Sequence, residues 1–265
     1  MSLMNTKKII IDTDPGQDDA VAILLALASK ELHVLGITCV AGNVPLRLTS
    51  ENARKVLELT EYTDVPVFAG AEHPISRKLV TAEHVHGKTG LDGPILGSPK
   101  IKLQKIGAVQ FIINTLLSHE KKEVTICTLG PLTNLAIALR TEPRIKNLIK
   151  EVIMMGGGFF EGGNITPAAE FNVYVDPEAA AEVLGSGIPL VMLPLDVTHK
   201  ALTSRSRIEA FRKIGNKAGT ATAEMLDFFE RFDVEKYGSE GGPLHDPNVI
   251  AYLLRPDFYQ GRNVN

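Results

Sequence analysis

One short run constrains this chain more than any other: Ile9-Ile10-Ile11-Asp12-Thr13-Asp14-Pro15-Gly16-Gln17-Asp18-Asp19-Ala20. Four carboxylates fall within eight residues, directly behind an apolar, β-branched stretch. A Pro-Gly pair separates them, and a strongly apolar segment follows to Ala28. The pattern predicts strand, tight turn, helix. Strand side chains alternate with period two, so Asp12 and Asp14 would end the strand on one side. Asp18 and Asp19 would open the helix, where free N–H groups and the dipole favour anions. Concentrating this much negative charge is costly unless a cation shares it. Carboxylate oxygens suit Ca²⁺ or Mg²⁺ better than zinc.

Two other acidic motifs fit poorly. An EF-hand loop needs an oxygen ligand at position five and Glu at position twelve; here those are Gly16 and Ile23. Haloacid-dehalogenase-type phosphatases also place Asp-x-Asp after a first strand, usually with Thr or Val two residues on, where this chain has Gly16.

The remaining chain repeats the alternation. Strands are predicted at Lys8–Asp12, Val34–Val40, Val65–Ala69, Val124–Thr128, Glu151–Met155 and Leu190–Leu193. Helices are predicted near Asp18–Ala28, Arg47–Thr60, Ala108–Leu117, Leu132–Leu139, Pro177–Leu184 and Lys217–Phe232. This predicts an α/β fold: an open, mainly parallel, Rossmann-like sheet with helices on both faces. Ligands then bind beyond the carboxyl ends of the strands. Asp14, Asn43, Gly130-Pro131 and Gly156-Gly157-Gly158 all follow predicted strands and would line one crevice. A chain of 265 residues can form one such domain, spanning 1–265. Glu72–Lys105 is the one long irregular stretch, in the manner of a lid or binding loop.

The net charge of −3 argues against nucleic-acid polymers or anionic membranes as partners. No apolar run reaches transmembrane length, and no secretory pattern opens the chain. Cys39 and Cys127 lie in apolar strand-like runs and read as buried thiols, which suits a cytoplasmic location.

Three further segments carry polar chemistry. Asn164, Glu170 and Asn172 share a glycine-rich loop and can hydrogen-bond several vicinal hydroxyls, or serve as caps. Asp246, in Leu244-His245-Asp246-Pro247, either caps the helix ahead of it or adds a metal ligand, with His245 as an acid or base beside it. His84-Val85-His86-Gly87 offers a histidine for a substrate but lacks the spacing of structural zinc.

Taken together, these blocks resemble the inosine-uridine nucleoside hydrolases. The resemblance rests on Asp12-Thr13-Asp14-Pro15-Gly16-Gln17-Asp18-Asp19, Val40-Ala41-Gly42-Asn43, His86 to Gly93, and Leu129-Gly130-Pro131-Leu132-Thr133-Asn134. It continues through Glu170-Phe171-Asn172, Asp196-Val197-Thr198 and His245-Asp246-Pro247. It spans essentially the whole chain, although family members usually continue several dozen residues further, so a C-terminal end is missing from the pattern. The resemblance implies hydrolysis of the N-glycosidic bond of ribonucleosides to ribose and free base. It implies Ca²⁺ held by Asp14, Asp19, Asp246 and the Leu129 carbonyl, with Asp14 as general base. Asp18, Asn43, Asn164, Glu170 and Asn172 would hold the ribose. Met155 joins the substrate-binding residues, His86 matches a base-site position, and His245 matches the donor to the leaving base. A homodimer or tetramer is the implied assembly.

Trp, which purine-preferring members use for stacking, is absent. His199-Lys200-Ala201 after Asp196-Val197-Thr198, and Leu226 to Phe232, resemble bacterial pyrimidine-preferring members most. Phe228 and Phe232, four apart on one helix face, could flank the base. Relatives often carry Tyr at the Phe232 position, so selectivity here should be looser. Uridine and cytidine are expected to exceed guanosine, with inosine also accepted. A metal-dependent phosphatase, or a non-catalytic ribose- or nucleoside-binding protein, are the other readings.

Overall fold

The computed structural model describes residues 6–264. Six strands form one sheet: β1 (Lys7–Thr13), β2 (Leu32–Cys39), β3 (Val67–Ala69), β4 (Val124–Thr128), β5 (Glu151–Met155) and β6 (Leu190–Leu193). Their order is β3-β2-β1-β4-β5-β6, and every pair is parallel. Helices fill the connections: α1 (Gln17–Ala28), α2 (Leu46–Leu57), α3 (Glu83–His86), α4 (Ala108–Ser118), α5 (Thr133–Thr141), α6 (Phe171–Val175) and α7 (Pro177–Leu184). After β6 come α8 (Leu195–Thr198), α9 (Arg205–Lys213), α10 (Lys217–Tyr237) and α11 (Pro247–Leu254). A short antiparallel pair, β7 (Leu202–Thr203) with β8 (Gly242–Pro243), joins the segment after α8 to the one before α11, with α9 and α10 between them in the chain.

The first strand shows why its sequence is apolar without interruption. Ile9 and Ile11 join a core with α1, α2 and α11, while Ile10 joins a second core with α4, α5 and α7. Alternate side chains enter opposite faces, and both faces are covered. All six predicted strands form, within two residues at every end. The predicted α10 continues five residues past Phe232, and α9 forms where no helix is predicted. Helix α9 is charged, with a single buried residue, Ile208. It is held to α10 by packing of Ile208 near Ala223 and Leu226, and by Arg205 and Arg212 on Asp227.

Strand order reverses between β1 and β4, because β2 and β3 lie on one side of β1 and β4 to β6 on the other. Loops leaving neighbouring carboxyl ends diverge there and open a crevice. The Asp14–Asp19 turn leaves β1 and the Leu129-Gly130-Pro131 turn leaves β4, so both acidic and carbonyl groups arrive at that point.

Candidate active site

The β1–α1 turn is built around its own carboxylates. Asp19, at the third position of α1, accepts from the Gly16 N–H (2.9 Å), the Thr13 hydroxyl and the Asn43 amide (3.3 Å). Asn52 of α2 donates to the Pro15 carbonyl (3.0 Å) and fastens the turn from behind. Asp14 lies just beyond β1. Its Oδ2 accepts from the Asn43 N–H (2.7 Å), while its Oδ1 is buried and has no hydrogen-bond partner among the described residues. The backbone closes tightly around this side chain. A Cβ at Gly42 would sit 2.1 Å from Oδ2, and one at Gly130 would sit 2.1 Å from Oδ1.

Asp18, Asp19 and Asp246 bring carboxylate oxygens within 4.8 Å of one another, all buried. Asp246 occupies the cap position of α11, ahead of Pro247, yet its side chain makes no capping bond. Its carboxyl instead faces Asp18 and Asp19, a placement compatible with the second of the two roles left open by its sequence. Burial raises the pKa of every member; hydrogen bonds from Thr13 and Gly16 temper the rise at Asp19, while neighbouring charges add to it at Asp18 and Asp246. Asp18 is pushed up to about 7 by burial and then by the charge of Asp19. Asp14 is raised well above its ordinary value by burial, then by Asp19 and Asp18. Asp246 is raised well above its own by burial, then by Asp18, Asp19 and Asp14. A hard divalent cation fits this donor set. It would relieve the repulsion and complete the bare Asp14 oxygen, using oxygen donors throughout. The closest triad contains Asp18, which the family resemblance assigns to ribose, whereas Asp14 borders it.

Asp12 has a different part. It is fully buried and accepts from the Thr38 hydroxyl (2.6 Å) and the Asn134 amide (2.8 Å), tying the end of β1 to β2 and to the start of α5. Burial still raises it to about 6.

Above the acidic floor lies a cleft of about 440 Å³, within the roughly 300–1,000 Å³ of small-molecule sites. Asp18, Asn43, His86, Leu129, Met155, Asn164, Glu170, Asn172, Phe232, His245 and Asp246 all line it. Eleven positions scattered over the sequence therefore meet in one place. Asp14 and Asp19 are set into its floor, beneath the lining. The Leu129 carbonyl accepts from the Asn172 amide (2.7 Å), and a carbonyl has a second lone pair to offer. Glu170 caps α6 through the Asn172 N–H (2.9 Å) and the Val173 N–H (3.2 Å), and it also takes the Gly157 N–H (2.9 Å). Asn164 accepts from the Phe171 N–H (2.9 Å). Capping and cleft-lining thus coexist in these residues.

Phe228 is the exception. It lies outside the cleft, against Leu91 and Gly93, with the Arg231 guanidinium 3.9 Å from its ring centroid. The face of α10 turned to the cleft carries Phe229, Phe232 and Asp233 at helical spacing of three and four, and Phe228 falls beside it. Phe229 is the aromatic that sequence reading missed. Its ring stacks on His86, 5.5 Å between centroids. Its signal was the 3.6-residue period carried on to Asp233, rather than the aromatic pair alone. His84 sits edge-on to Phe232 at 5.6 Å, and His199 edge-on to His245 at 5.7 Å. Burial, and then the neighbouring histidines, drive the pKa of both His86 and His245 down to about 3, so both are neutral near pH 7.

The inosine-uridine preferring nucleoside hydrolase family matches residues 9–265. The chain belongs to that family. It is 48% identical to the pyrimidine-specific ribonucleoside hydrolase RihA of Photobacterium profundum, over 97% of this chain and 83% of that protein. It is 53% identical to an uncharacterized protein of Schizosaccharomyces pombe, over 97% and 83% of the two chains. Its fold superposes on a purine-preferring ribonucleoside hydrolase from Gardnerella vaginalis with TM-score 0.94 and 32% identity, covering 98% of this chain and 83% of the other. The chain is a nucleoside hydrolase, an N-glycosidase. The acidic floor and cleft described above are the centre at which that chemistry is to be sought.

Proposed function

We propose that this protein hydrolyses ribonucleosides to ribose and free base with Ca²⁺ bound, preferring pyrimidines. The observation carrying this reading is the bare, buried Asp14 oxygen beside three converging carboxylates, on the floor of a cleft lined by amides and carboxylates. Asp14, Asp19, Asp246 and the Leu129 carbonyl would hold the ion, and the proximity of Asp18 adds a fourth carboxylate to that set. When bound, calcium orients and acidifies a water molecule.

Each residue has a part in the hydrolysis. Asp14 takes a proton from the attacking water through Oδ1, while the Asn43 N–H fixes its other oxygen. The water oxygen bonds to C1′ as the bond to the base breaks, and the electron pair leaves with the base. The transition state has oxocarbenium character, as in other glycoside hydrolysis. Asn164, Glu170 and Asn172 hold ribose hydroxyls, and accelerate the reaction to the extent that these contacts tighten in the transition state. His245 is neutral, so it acts as an N–H donor to the departing base, with the Thr198 hydroxyl at its Nδ1 (2.8 Å) setting the ring. Preference for pyrimidines is supported by the absence of Trp and by identity to a pyrimidine-specific relative.

The test is a reducing-sugar assay over uridine, cytidine, inosine, guanosine, adenosine and 2′-deoxyuridine, with and without chelator. Activity should vanish on exhaustive chelation and return with Ca²⁺. Deoxyuridine should be slower by orders of magnitude, because buried acceptors lose a partner. Full activity without metal would remove the calcium assignment. A panel led by guanosine or adenosine would overturn the pyrimidine preference and leave the hydrolase assignment intact.

A further inference from the structure

Gln17, the first residue of α1, is fully buried and bonds His86, which lines the cleft. Its amide nitrogen donates to two backbone carbonyls, those of His86 (2.9 Å) and Asp92 (3.0 Å). Turning the amide over would aim its oxygen at two other oxygens, so the assignment of N and O is settled by the surroundings. Its Oε1 therefore faces His86 Nδ1, 2.8 Å away, and can only accept. Neutral imidazole carries one N–H, and here it must be on Nδ1. A half-turn of the ring would put a C–H where Nδ1 stands and forfeit the bond to Gln17, and the ring plane is fixed by its packing. One face stacks on Phe229, and Nδ1 lies where a Cβ on Gly16 would come within 2.4 Å.

We infer that Gln17 is a positioning residue that locks His86 as the Nδ1–H tautomer, so that a bare Nε2 faces the cleft and accepts from a hydrogen-bond donor of the nucleoside. Among the described residues, no hydrogen bond from the protein occupies Nε2. A nucleoside brings two kinds of donor within reach of such an acceptor: a sugar hydroxyl, or an imide N–H of the base such as uracil N3–H. The ligand half of this inference rests on the ribonucleoside reading above. The tautomer half does not.

Long-range ¹H–¹⁵N correlation on the ¹⁵N-labelled full chain reads the tautomer directly, with His86 assigned through loss of its peaks in His86→Ala. The wild type should show a protonated Nδ1 and an unprotonated Nε2. Gln17→Leu removes the acceptor and should populate the Nε2–H form; Gln17→Glu keeps an acceptor and should retain Nδ1–H. A wild-type His86 protonated at Nε2 overturns the inference, even if neither variant folds. In kinetics, uridine is compared with 5′-deoxyuridine and N3-methyluridine. The analogue lacking the matching donor should lose about 10-fold or more in kcat/KM, as expected for an acceptor left unpaired. That penalty should shrink in Gln17→Leu. Loss confined to the 5′-deoxy compound identifies the hydroxyl, and loss confined to the methyl compound identifies the imide. Equal kcat/KM for all three refutes the contact with a donor. Failure of every nucleoside to react would refute the hydrolase reading instead, while the spectra still decide the tautomer.

Discussion

Asp14 is held by what is missing around it as much as by what is present. Gly42 and Gly130 approach from opposite turns, and neither has room for a methyl group. Gly42→Ala or Gly130→Ala should swing the carboxylate away and break its bond from the Asn43 N–H. A displacement near 1 Å at a reacting group can cost about 10²-fold in rate. We expect losses of at least that order in kcat, with the far-ultraviolet circular dichroism of the wild type. Wild-type kcat in both variants would show that Asp14 need not occupy this position. His245→Ala should impair uridine far more than p-nitrophenyl riboside, whose leaving group needs little help. Equal losses on both substrates would assign His245 to positioning instead.

At the scale of elements, one buried carboxylate ties three segments behind the site. Asp176 caps α7 through the Ala179 N–H (3.1 Å), and its other oxygen takes the Ile75 N–H (2.9 Å) and the Thr133 hydroxyl (2.7 Å) of α5. Asp176→Ala loses a cap worth about 1 kcal/mol. It also leaves two donors unpaired, at about 1–3 kcal/mol each where burial is complete. A total near 3 kcal/mol should appear as a lower urea midpoint with an unchanged slope. A shift below about 1 kcal/mol would mean that water or a neighbour replaces the carboxylate. The short helices follow the same logic. Glu170 and Asp176 each begin a helix by accepting from its first N–H groups, and Glu170 then presents the remainder of its side chain to the cleft. Capping and binding look like alternatives for such residues in sequence; at Glu170 and Asn164 one side chain both accepts a backbone N–H and lines the cleft. The four-residue α3, inside the stretch predicted to be irregular, carries His84 and His86 to the cleft.

For the molecule as a whole, the acidic floor is expected to make stability depend on pH and on metal together. The folded state holds a proton on Asp18 up to about pH 7, and burial with like charges raises Asp14 and Asp246 well above the ordinary carboxylate range, where the unfolded chain has released its protons. For an acid whose pKa is raised by folding, stability falls as pH rises through that interval. His86 and His245, lowered to about 3, have the opposite sign, but their contribution is complete once pH exceeds about 6.5. Between pH 6.5 and 8.5 the carboxylates set the slope, joined toward the upper end by the thiols of Cys39 and Cys127, which burial pushes far up and which act with the same sign. Metal-free protein should therefore melt at lower temperature at pH 8.5 than at 6.5, and saturating Ca²⁺ should raise Tm more at the higher pH. A metal-free Tm independent of pH over that range would contradict burial of these charges as a group. The parallel sheet was legible in the chain because strands covered on both faces must be apolar throughout, and β1 to β6 carry that pattern locally. The acidic turn was legible because its four carboxylates are neighbours in sequence. Asp246 and Phe229 were not assignable in this way. Whether Asp246 caps α11 or faces Asp18 and Asp19, and which aromatics of α10 turn inward, depends on where α10 and α11 dock against α1. That docking is fixed by long-range burial, in which residues more than two hundred positions apart become neighbours, and no local period records it. The sequence by itself determined the layered α/β sheet, the strand-turn-helix with its carboxylates, and the family chemistry. The tertiary structure alone decided which carboxylates converge, which oxygen of Asp14 stays bare, and which nitrogen of His86 carries the proton, because each depends on groups brought together only by packing.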